Sequence, residues 1–378
     1  MGPDAGIIMV RSEKRYELQW LRALAATEVA ICHSDLLTKH FSNFRIGSLT
    51  WYYPLSGMGV ELFFVLSGYI ICIRAPSIDN GGRFLLSRIL RLYPMYWIFT
   101  SLVLVAYFIN PAWRLASADL DPLHLLKSYL ILPQDGFPLL TVGWTLEHEM
   151  LFYVTVSLMM LLWGLKGHRP LILAFVLGAM GFIGCTLGSG PLPSIWAFYI
   201  FSPYMFAFGF GWLLKYSENL EWRARSASLL GYAAIVAAAL WLGTDRGDWL
   251  IYRISVASLL FVVIITWRRI FVADNAINRA VWQLGDASFS IYLSHWFVLS
   301  AIGKVLGAAH LPAIADVPVR VVFILVSVGI GYAFYIALEL PIDRWLRQRG
   351  PRPAWRDRPK LARGHVQKLA RQLQTRRL

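Results

Sequence analysis

Long apolar runs separated by short polar breaks dominate the hydropathy pattern of this 378-residue chain. Ten of these runs are long enough, at about 1.5 Å per helical residue, to cross a bilayer core of about 30 Å. They cover residues 18–36, 57–74, 93–110, 139–163, 170–187, 194–214, 227–243, 249–266, 282–306 and 318–340. The pattern predicts an all-α polytopic integral membrane protein with about ten transmembrane helices.

The composition points to the same class of protein. Hydrophobic residues make up 57% of the chain and charged residues 15%, against roughly 25% charged residues in soluble domains. The 16 Trp and 17 Tyr residues are typical of proteins with aromatic side chains at the membrane–water interface. Cys32, Cys72 and Cys185 all lie in apolar runs. They are therefore interpreted as core residues, with no disulfide framework and no cysteine metal site.

The distribution of Lys and Arg predicts the orientation. With a cytoplasmic N-terminus, the connections on the cytoplasmic side hold most of the 36 basic residues, as the positive-inside rule requires. We therefore divide the chain into a cytoplasmic N-terminal tail (1–16), a membrane domain (17–346) and a basic cytoplasmic tail (347–378). The tail is expected to contact anionic lipid headgroups or solvent. Nucleic acid is not an expected partner, because no folded reading module accompanies the tail.

Ionisable residues inside a span are costly and normally face a cavity or a partner. The first span contains Arg22 and His33, which are 11 residues apart and share a helix face, separated by about 16 Å along the axis. His33 is a candidate general base, because the unperturbed pKa of histidine, about 6.5, suits proton transfer at neutral pH. The structural alternative is that His33 only hydrogen-bonds a neighbouring helix and that Arg22 extends to lipid headgroups.

A basic stretch at 83–94 precedes the third span. Read as a helix, it places Phe84, Arg88 and Arg91 on one face. Guanidinium groups grip phosphate bidentately, so this cytoplasmic stretch is a candidate contact for a phosphorylated donor such as a coenzyme A thioester. The alternative is anchoring to lipid phosphates.

Two other spans contain isolated polar groups. The segment GMGVELFFVLSGYI contains Glu61 and Ser67, with small-residue packing and Glu61 at the water boundary as the alternative interpretation. Later, GDASFSIYLSH places Tyr292 and His295 at i, i+3 on one helix face. A core or interface role is the alternative for this pair.

The segment WTLEHEMLFY contains two carboxylates around a histidine: Glu147, His148 and Glu149. These groups are suited to orienting an imidazole, receiving a proton or binding a sugar hydroxyl. The alternative is a turn exposed to water at the membrane interface. The segment is not the metalloprotease pattern HExxH, because Phe152 stands at the position of the second histidine, so zinc is not expected.

In this order, six segments resemble the bacterial membrane acyltransferase-3 family. They are LQWLRALAA with a histidine 11 residues after its arginine, GVELFFVLSGY, SRILRLYP, WTLEHEMLFY, GDASFSIYLSH and ALELP. The resemblance extends from about residue 17 to 346. Members of this family O-acylate surface polysaccharides, lipopolysaccharide and lipid-linked sugars, as multi-pass proteins of the bacterial cytoplasmic (inner) membrane. Some carry a fused exterior hydrolase-like domain, and here the resemblance predicts the standalone type.

The resemblance also implies roles for the matching positions. The catalytic residues would be His33, Arg22 and Glu149, with Arg88 and Arg91 contacting the phosphates of acyl-CoA. The substrate-contacting or supporting residues would be Glu61, Ser67, Trp144, Tyr153 and His295.

The prediction is therefore an acyl-CoA-dependent O-acyltransferase without a metal. It would transfer an acyl group, with acetyl from acetyl-CoA expected and succinyl left open, to a hydroxyl of a surface polysaccharide or lipid-linked sugar. His33 would act as general base or as transient acyl carrier. The expected partners are the lipid bilayer, the carbohydrate acceptor and polysaccharide assembly machinery.

Two other functions share the same spans. A transporter or flippase for lipid-linked sugars or acids also needs buried polar groups, but has less need of paired phosphate-gripping arginines. A scaffold for polysaccharide synthesis leaves the shared face of Arg22 and His33 unexplained.

Overall fold

The computed structural model describes residues 15–35, 56–78, 80–110, 120–187, 194–242, 245–308 and 316–349. Within these ranges the chain is almost entirely helical and contains no β-strand. The predicted all-α polytopic class is confirmed. The N-terminal tail and nearly all of the basic C-terminal tail lie outside the described residues, so their predicted positions on the cytoplasmic side stay predictions.

In chain order the helices are α1 (Tyr16–Cys32), α2 (Met58–Arg74), α3 (Gly81–Ile109), α4 (Pro122–Leu130), α5 (Trp144–Leu162), α6 (Arg169–Leu187), α7 (Ile195–Ile200), α8 (Tyr204–Ser217), α9 (Trp222–Leu242), α10 (Asp245–Thr266), α11 (Arg268–Val272), α12 (Ala276–Asp286), α13 (Ser288–Ala308), α14 (Asp316–Phe334) and α15 (Leu340–Arg349). A π-helical segment, Tyr335–Glu339, joins α14 to α15.

Several helices begin where a polar side chain caps the first turn. The side chains of Asn80, Asp121, Ser194 and Asn275 each accept hydrogen bonds from backbone N–H groups of the following helix. This contact satisfies donors that have no partner inside the helix. The starts of α3, α4, α7 and α12 are therefore determined locally by the sequence.

Eight helical segments in the described part of the chain are long and apolar enough to cross a membrane. The other two predicted spans coincide with shorter helices, since α1 has 17 residues and the apolar part of α13 covers Ser288–Gly303. Each of the ten predicted runs therefore lies in a helical segment, although two of the runs extend over more than one helix. The chain is a multi-pass membrane protein.

Three predicted boundaries differ from the structure. The basic stretch 83–94 is not a connection, because α3 continues from Gly81 through Pro94 to Ile109. The run 194–214 is broken around Pro203 into α7 and α8. The run 282–306 begins too early, because residues up to Asp286 belong to the separate amphipathic helix α12.

The chain divides into two compact units. The first consists of Met1–Leu66 and Tyr252–Tyr335, and the second of Ser67–Ile251 and Ile336–Leu378. In the first unit α1 packs against α12 and α13, and α13 packs against α14. In the second unit α6 packs against α8 and α9, and α3 packs against α5. The division falls within α2, so Glu61 belongs to the first unit and Ser67 to the second.

Candidate active site

Helix α1 presents its two predicted functional residues to one neighbour, α13. The Nε atom of Arg22 donates to Oγ of Ser288 at 3.1 Å. His33 directly follows the last residue of α1, and its Nδ1 lies 2.9 Å from Nε2 of His295. Ser288 and His295 are about two helical turns apart. The shared face inferred from sequence spacing is therefore the face that contacts α13.

Small residues bring these helices close together. Ala26 of α1 and Ala287, at the start of α13, are both buried and pack with Ile291. A Cβ on Gly331 of α14 would lie 2.6 Å from Cα of Ile291. Helices in membranes pack closely at such small residues, and the close packing here supports contacts between the polar side chains of α1 and α13.

The two histidines form a direct imidazole pair. Their ring centroids are 5.1 Å apart with an interplanar angle of 15°. His295 is fully buried, and its Nδ1 lies 2.6 Å from the carbonyl oxygen of Tyr292. The indole of Trp296 meets the His33 ring edge-on at 4.6 Å. Nε2 of His33 has no hydrogen-bond partner in the part of the chain that the structure describes.

Arg320 holds the two residues that follow His33. Its Nη1 donates to Oγ of Ser34 at 2.9 Å and to Oδ1 of Asp35 at 2.6 Å. Arg320 lies in α14 and is 3% exposed. Arg320 is not among the residues predicted from the sequence, although an arginine near the start of the apolar run 318–340 is the kind of costly intramembrane charge that indicates a partner.

Glu61 is completely buried against other parts of the first unit. Nη2 of Arg253 forms an ion pair with Oε1 of Glu61 at 3.1 Å. Nη1 of the same arginine donates to the carbonyl oxygen of Ser56 at 2.8 Å. Arg253 was also missed, and its position inside the run 249–266 was the available signal.

The start of α2 is held by a carboxylate from α1. Glu28 accepts hydrogen bonds from the backbone N–H groups of Gly57 at 2.9 Å and Gly59 at 2.7 Å. A carboxylate at this end of a helix is favoured by the partial positive charge of the first turn. Gly57 has a φ of +88°, and a Cβ on Gly59 would lie 2.5 Å from the carbonyl oxygen of Ala25. Gly59 therefore lets the start of α2 approach α1 closely.

In the second unit, three predicted residues meet at one carboxylate. Ser67 Oγ donates to Oε1 of Glu149 at 2.7 Å, and the hydroxyl of Tyr153 donates to the same oxygen. Among the described residues, Oε2 of Glu149 accepts no hydrogen bond. Two sequence segments far apart in the chain therefore build one local group, with Glu149 at its centre.

The two predicted phosphate-binding arginines differ in their surroundings. Nη1 of Arg91 lies 2.7 Å from Oε1 of Glu339 and 3.5 Å from Oδ1 of Asp343. The described hydrogen bond of Arg88 is from Nε to Oγ of Ser87 at 3.2 Å. Its Nη1 and Nη2 atoms donate to no residue that the structure describes. Arg88 is therefore the better candidate for holding the phosphates of a donor.

Glu147 and His148 are buried within the first turns of α5, so the predicted alternative of a water-exposed turn is wrong. Glu147 accepts from Nε2 of Gln134 at 3.0 Å and from the hydroxyl of Tyr199. Nδ1 of His148 donates to the carbonyl oxygen of Trp144 at 3.0 Å. Trp144, predicted as a supporting residue, thus contacts His148 rather than Glu149 in the described contacts. Within the described ranges, no His, Cys, Asp and Glu side chains cluster so as to hold a metal ion.

The fold and these groups define a polytopic helical membrane protein with an imidazole pair in one unit and a hydrogen-bonded carboxylate in the other. The model of the acyltransferase-3 family, described as an acyltransferase domain, matches residues 15–336. The chain belongs to this family, and it is therefore a membrane acyltransferase.

Curated relatives cover most of the chain at low identity. Exopolysaccharide production protein ExoZ of Rhizobium meliloti (strain 1021) is 29% identical over 79% of this chain and 93% of its own length. Acyltransferase MdmB of Streptomyces mycarofaciens is 24% identical over 94% of this chain and 99% of its own length. Putative membrane-bound transacylase BcsY of Komagataeibacter xylinus is 24% identical over 75% of this chain and 72% of its own length. No solved structure matches the chain.

Proposed function

We propose that this acyltransferase transfers an acyl group from acyl-CoA to a hydroxyl of a surface polysaccharide or lipid-linked sugar, with His33 as general base. The observation that carries the proposal is the His33 imidazole. It is bonded through one nitrogen to His295, while the other nitrogen is uncommitted among the described residues. A general base needs such a lone pair within reach of the proton that it removes.

The proposed donor is acetyl-CoA, bound through Arg88. This arginine lies on α3, and its terminal nitrogen atoms donate no hydrogen bond to a described residue. A guanidinium with free N–H groups suits the phosphates of coenzyme A. Arg91, which the sequence analysis proposed for the same task, supports the site indirectly, because it is paired with Glu339 and Asp343.

The proposed acceptor class rests on the relatives. ExoZ is named for exopolysaccharide production, and MdmB and BcsY are named as an acyltransferase and a transacylase. A sugar hydroxyl as acceptor is consistent with these names. Location in a bacterial cytoplasmic membrane and contact with polysaccharide assembly machinery are part of the same proposal.

The proposed step is an acyl transfer with general base catalysis. The acceptor oxygen attacks the thioester carbonyl carbon while Nε2 of His33 takes the hydroxyl proton. The carbon–sulfur bond then breaks, and the imidazolium returns the proton to the coenzyme A thiolate. The role predicted for Arg22 in the transfer stays a prediction, because this arginine is hydrogen-bonded to Ser288 about two helical turns from His295. Transient acylation of His33 and a role of Glu149 in orienting the imidazole or the acceptor stay predictions.

Mass spectrometry of surface glycans and their lipid-linked precursors tests the proposal. Cells without the gene are compared with cells that carry the native chain or His33→Ala, at equal protein levels in the membrane. We expect an acetyl or succinyl mass that only the native chain restores. Unchanged acylation with an altered amount or location of glycan would overturn the proposal and favour the transporter. Normal acylation in His33→Ala cells would remove His33 from the mechanism.

A further inference from the structure

The hydrogen bonds of the imidazole pair fix which nitrogen atoms carry protons. A backbone carbonyl only accepts hydrogen bonds. The Nδ1 atom of His295, at 2.6 Å from the carbonyl oxygen of Tyr292, must therefore carry a hydrogen. When His295 is neutral, its Nε2 has a lone pair and accepts from its neighbour. That neighbour is Nδ1 of His33 at 2.9 Å, so Nδ1 of His33 is the protonated nitrogen.

We propose that His295 is a positioning residue that selects the tautomer of His33 and leaves the lone pair of His33 on Nε2. The carbonyl oxygen of Tyr292 starts this chain of donors and acceptors, and Nε2 of His33 ends it. The proposal rests on the proposed function, because it explains how His33 is prepared to accept the proton of the acceptor hydroxyl.

The burial of His295 explains why the group that accepts the hydrogen bond from His33 is a neutral imidazole. His295 is 0% exposed, and no carboxylate is hydrogen-bonded to either imidazole among the described residues. A charge on a fully buried ring is expensive, so His295 serves as the neutral acceptor of the pair. A carboxylate in place of His295 would also select this tautomer, as in serine proteases, but would bring a permanent charge into the buried site.

The arrangement also holds the ring during the reaction. When Nε2 of His33 takes the acceptor proton, Nδ1 keeps its hydrogen bond to His295, so only one proton moves in this step. In the opposite tautomer Nε2 would carry a hydrogen and could not act as base. A side chain at position 295 that cannot accept a hydrogen bond would let both tautomers of His33 coexist. Such a change would lower the turnover rate by a larger factor than the affinity for the donor.

Two substitutions of His295 separate a positioning role from a packing role. In His295→Gln, the side-chain carbonyl can still accept from Nδ1 of His33. His295→Leu has a similar volume but no acceptor. His33→Ala serves as the inactive reference, and His168→Gln, on an exposed turn, is the control for loss of a histidine. Rates are measured in membrane vesicles from the producing cells with radiolabelled acetyl-CoA, following label in the glycan fraction.

We expect His295→Leu to lose kcat on the order of 10²-fold, because His33 then loses the hydrogen bond that orients its ring as well as its preferred tautomer, with the KM for acetyl-CoA nearly unchanged. We expect His295→Gln to keep activity within about 10-fold of the native chain. In protein labelled with ¹⁵N-histidine, the ring signals of His33 are identified in proton–nitrogen correlation spectra as those absent from His33→Ala. These signals should show a protonated Nδ1 and an unprotonated Nε2. The Leu variant should show a mixture of tautomers.

The outcomes distinguish the two proposals. Equal losses in His295→Gln and His295→Leu, with native-like His33 spectra in both, would mean that His295 only packs the site, and would overturn the inference. Full activity in His295→Leu, with His33→Ala inactive, would also overturn it while leaving the proposed function intact. Activity in His33→Ala would instead refute the general base itself. If His295→Leu does not accumulate in membranes, the Gln variant and the tautomer of His33 in the native protein decide the question.

Discussion

The histidine pair of the first unit and the Glu149 group of the second unit hold their central side chains in similar ways. His33 is bonded through Nδ1 and has an uncommitted Nε2, while Glu149 accepts twice at Oε1 and not at Oε2, among the described residues. The partners differ, because His33 donates to one neutral acceptor and Glu149 receives two hydroxyl donors. An imidazole held this way can gain a proton at Nε2, whereas Glu149 is held in place by two hydroxyl groups that donate to one of its oxygen atoms. On this basis we propose to assign proton transfer to His33 and orientation or charge stabilisation to Glu149.

The largest effect should separate these two assignments. We expect His33→Ala to lower acyl transfer by about 10³-fold, within the 10²–10⁴-fold range of general base catalysis. Glu149→Gln keeps an acceptor oxygen for Ser67 and Tyr153, so we expect a smaller loss, about 10–30-fold, from the missing charge. Label transfer from radiolabelled acetyl-CoA in membrane vesicles measures both. A greater loss in Glu149→Gln than in His33→Ala would reverse the assignment.

The next effect concerns the two arginines of α3. We expect Arg88→Ala to raise the KM for acetyl-CoA about 10–100-fold, because hydrogen bonds to a charged group contribute about 1.5–3 kcal/mol. At the same concentration, coenzyme A should also raise the Tm of the purified native protein more than that of this variant, since stabilisation by a ligand falls as its affinity falls. Kinetics and thermal unfolding in the same detergent measure this. A native-like KM in Arg88→Ala would contradict the donor site.

Arg91→Ala is the matched comparison. Its removal leaves the buried carboxylate of Glu339 without its cation, so we expect a loss of about 1–3 kcal/mol in stability, seen as a lower Tm. The double variant Arg91→Ala with Glu339→Gln should recover part of this loss, because the uncompensated charge is then gone. A normal Tm together with a raised KM in Arg91→Ala would show instead that this arginine binds the donor.

A smaller effect tests whether Ser67 and Tyr153 act on one oxygen of Glu149. Each hydroxyl contributes about 1 kcal/mol as a single hydrogen bond, so Ser67→Ala and Tyr153→Phe should each lower turnover about 3–10-fold. Residues that share a partner are coupled. The double variant should therefore differ from the product of the two single effects. Strict additivity in a double-mutant cycle would show that the hydroxyls act independently.

The smallest expected effect concerns a single hydroxyl in the first unit. Ser34→Ala removes one acceptor of Arg320 and leaves the closer contact to Asp35 in place. We expect a stability loss of about 0.5–1.5 kcal/mol, as for one hydrogen bond, and little change in acyl transfer. Thermal unfolding and vesicle assays measure both. A large loss of activity at an unchanged Tm would show that this serine takes part in the reaction.

The sequence by itself determined the class of protein, the number of apolar runs and the order of the motifs. Hydrophobic spans are visible because a bilayer imposes about 20 consecutive apolar residues on each helix. The shared face of Arg22 and His33 followed from helical periodicity. Helix starts that are capped by a side chain, such as the start of α3 at Asn80, also depend only on neighbouring residues in the sequence. None of these features depends on which helix becomes the neighbour.

Only the tertiary structure decided which side chains are partners. Arg88 and Arg91 lie on the same helix face and were given the same predicted role. They differ in their partners, because Glu339, which is distant in sequence, pairs with Arg91. Nothing in the sequence near His33 indicates that its partner is His295, because 262 positions separate them. The partners of Arg320 and Glu61 are equally remote in sequence. Burial makes each such pairing energetically necessary, but the packing of the helices selects the partner.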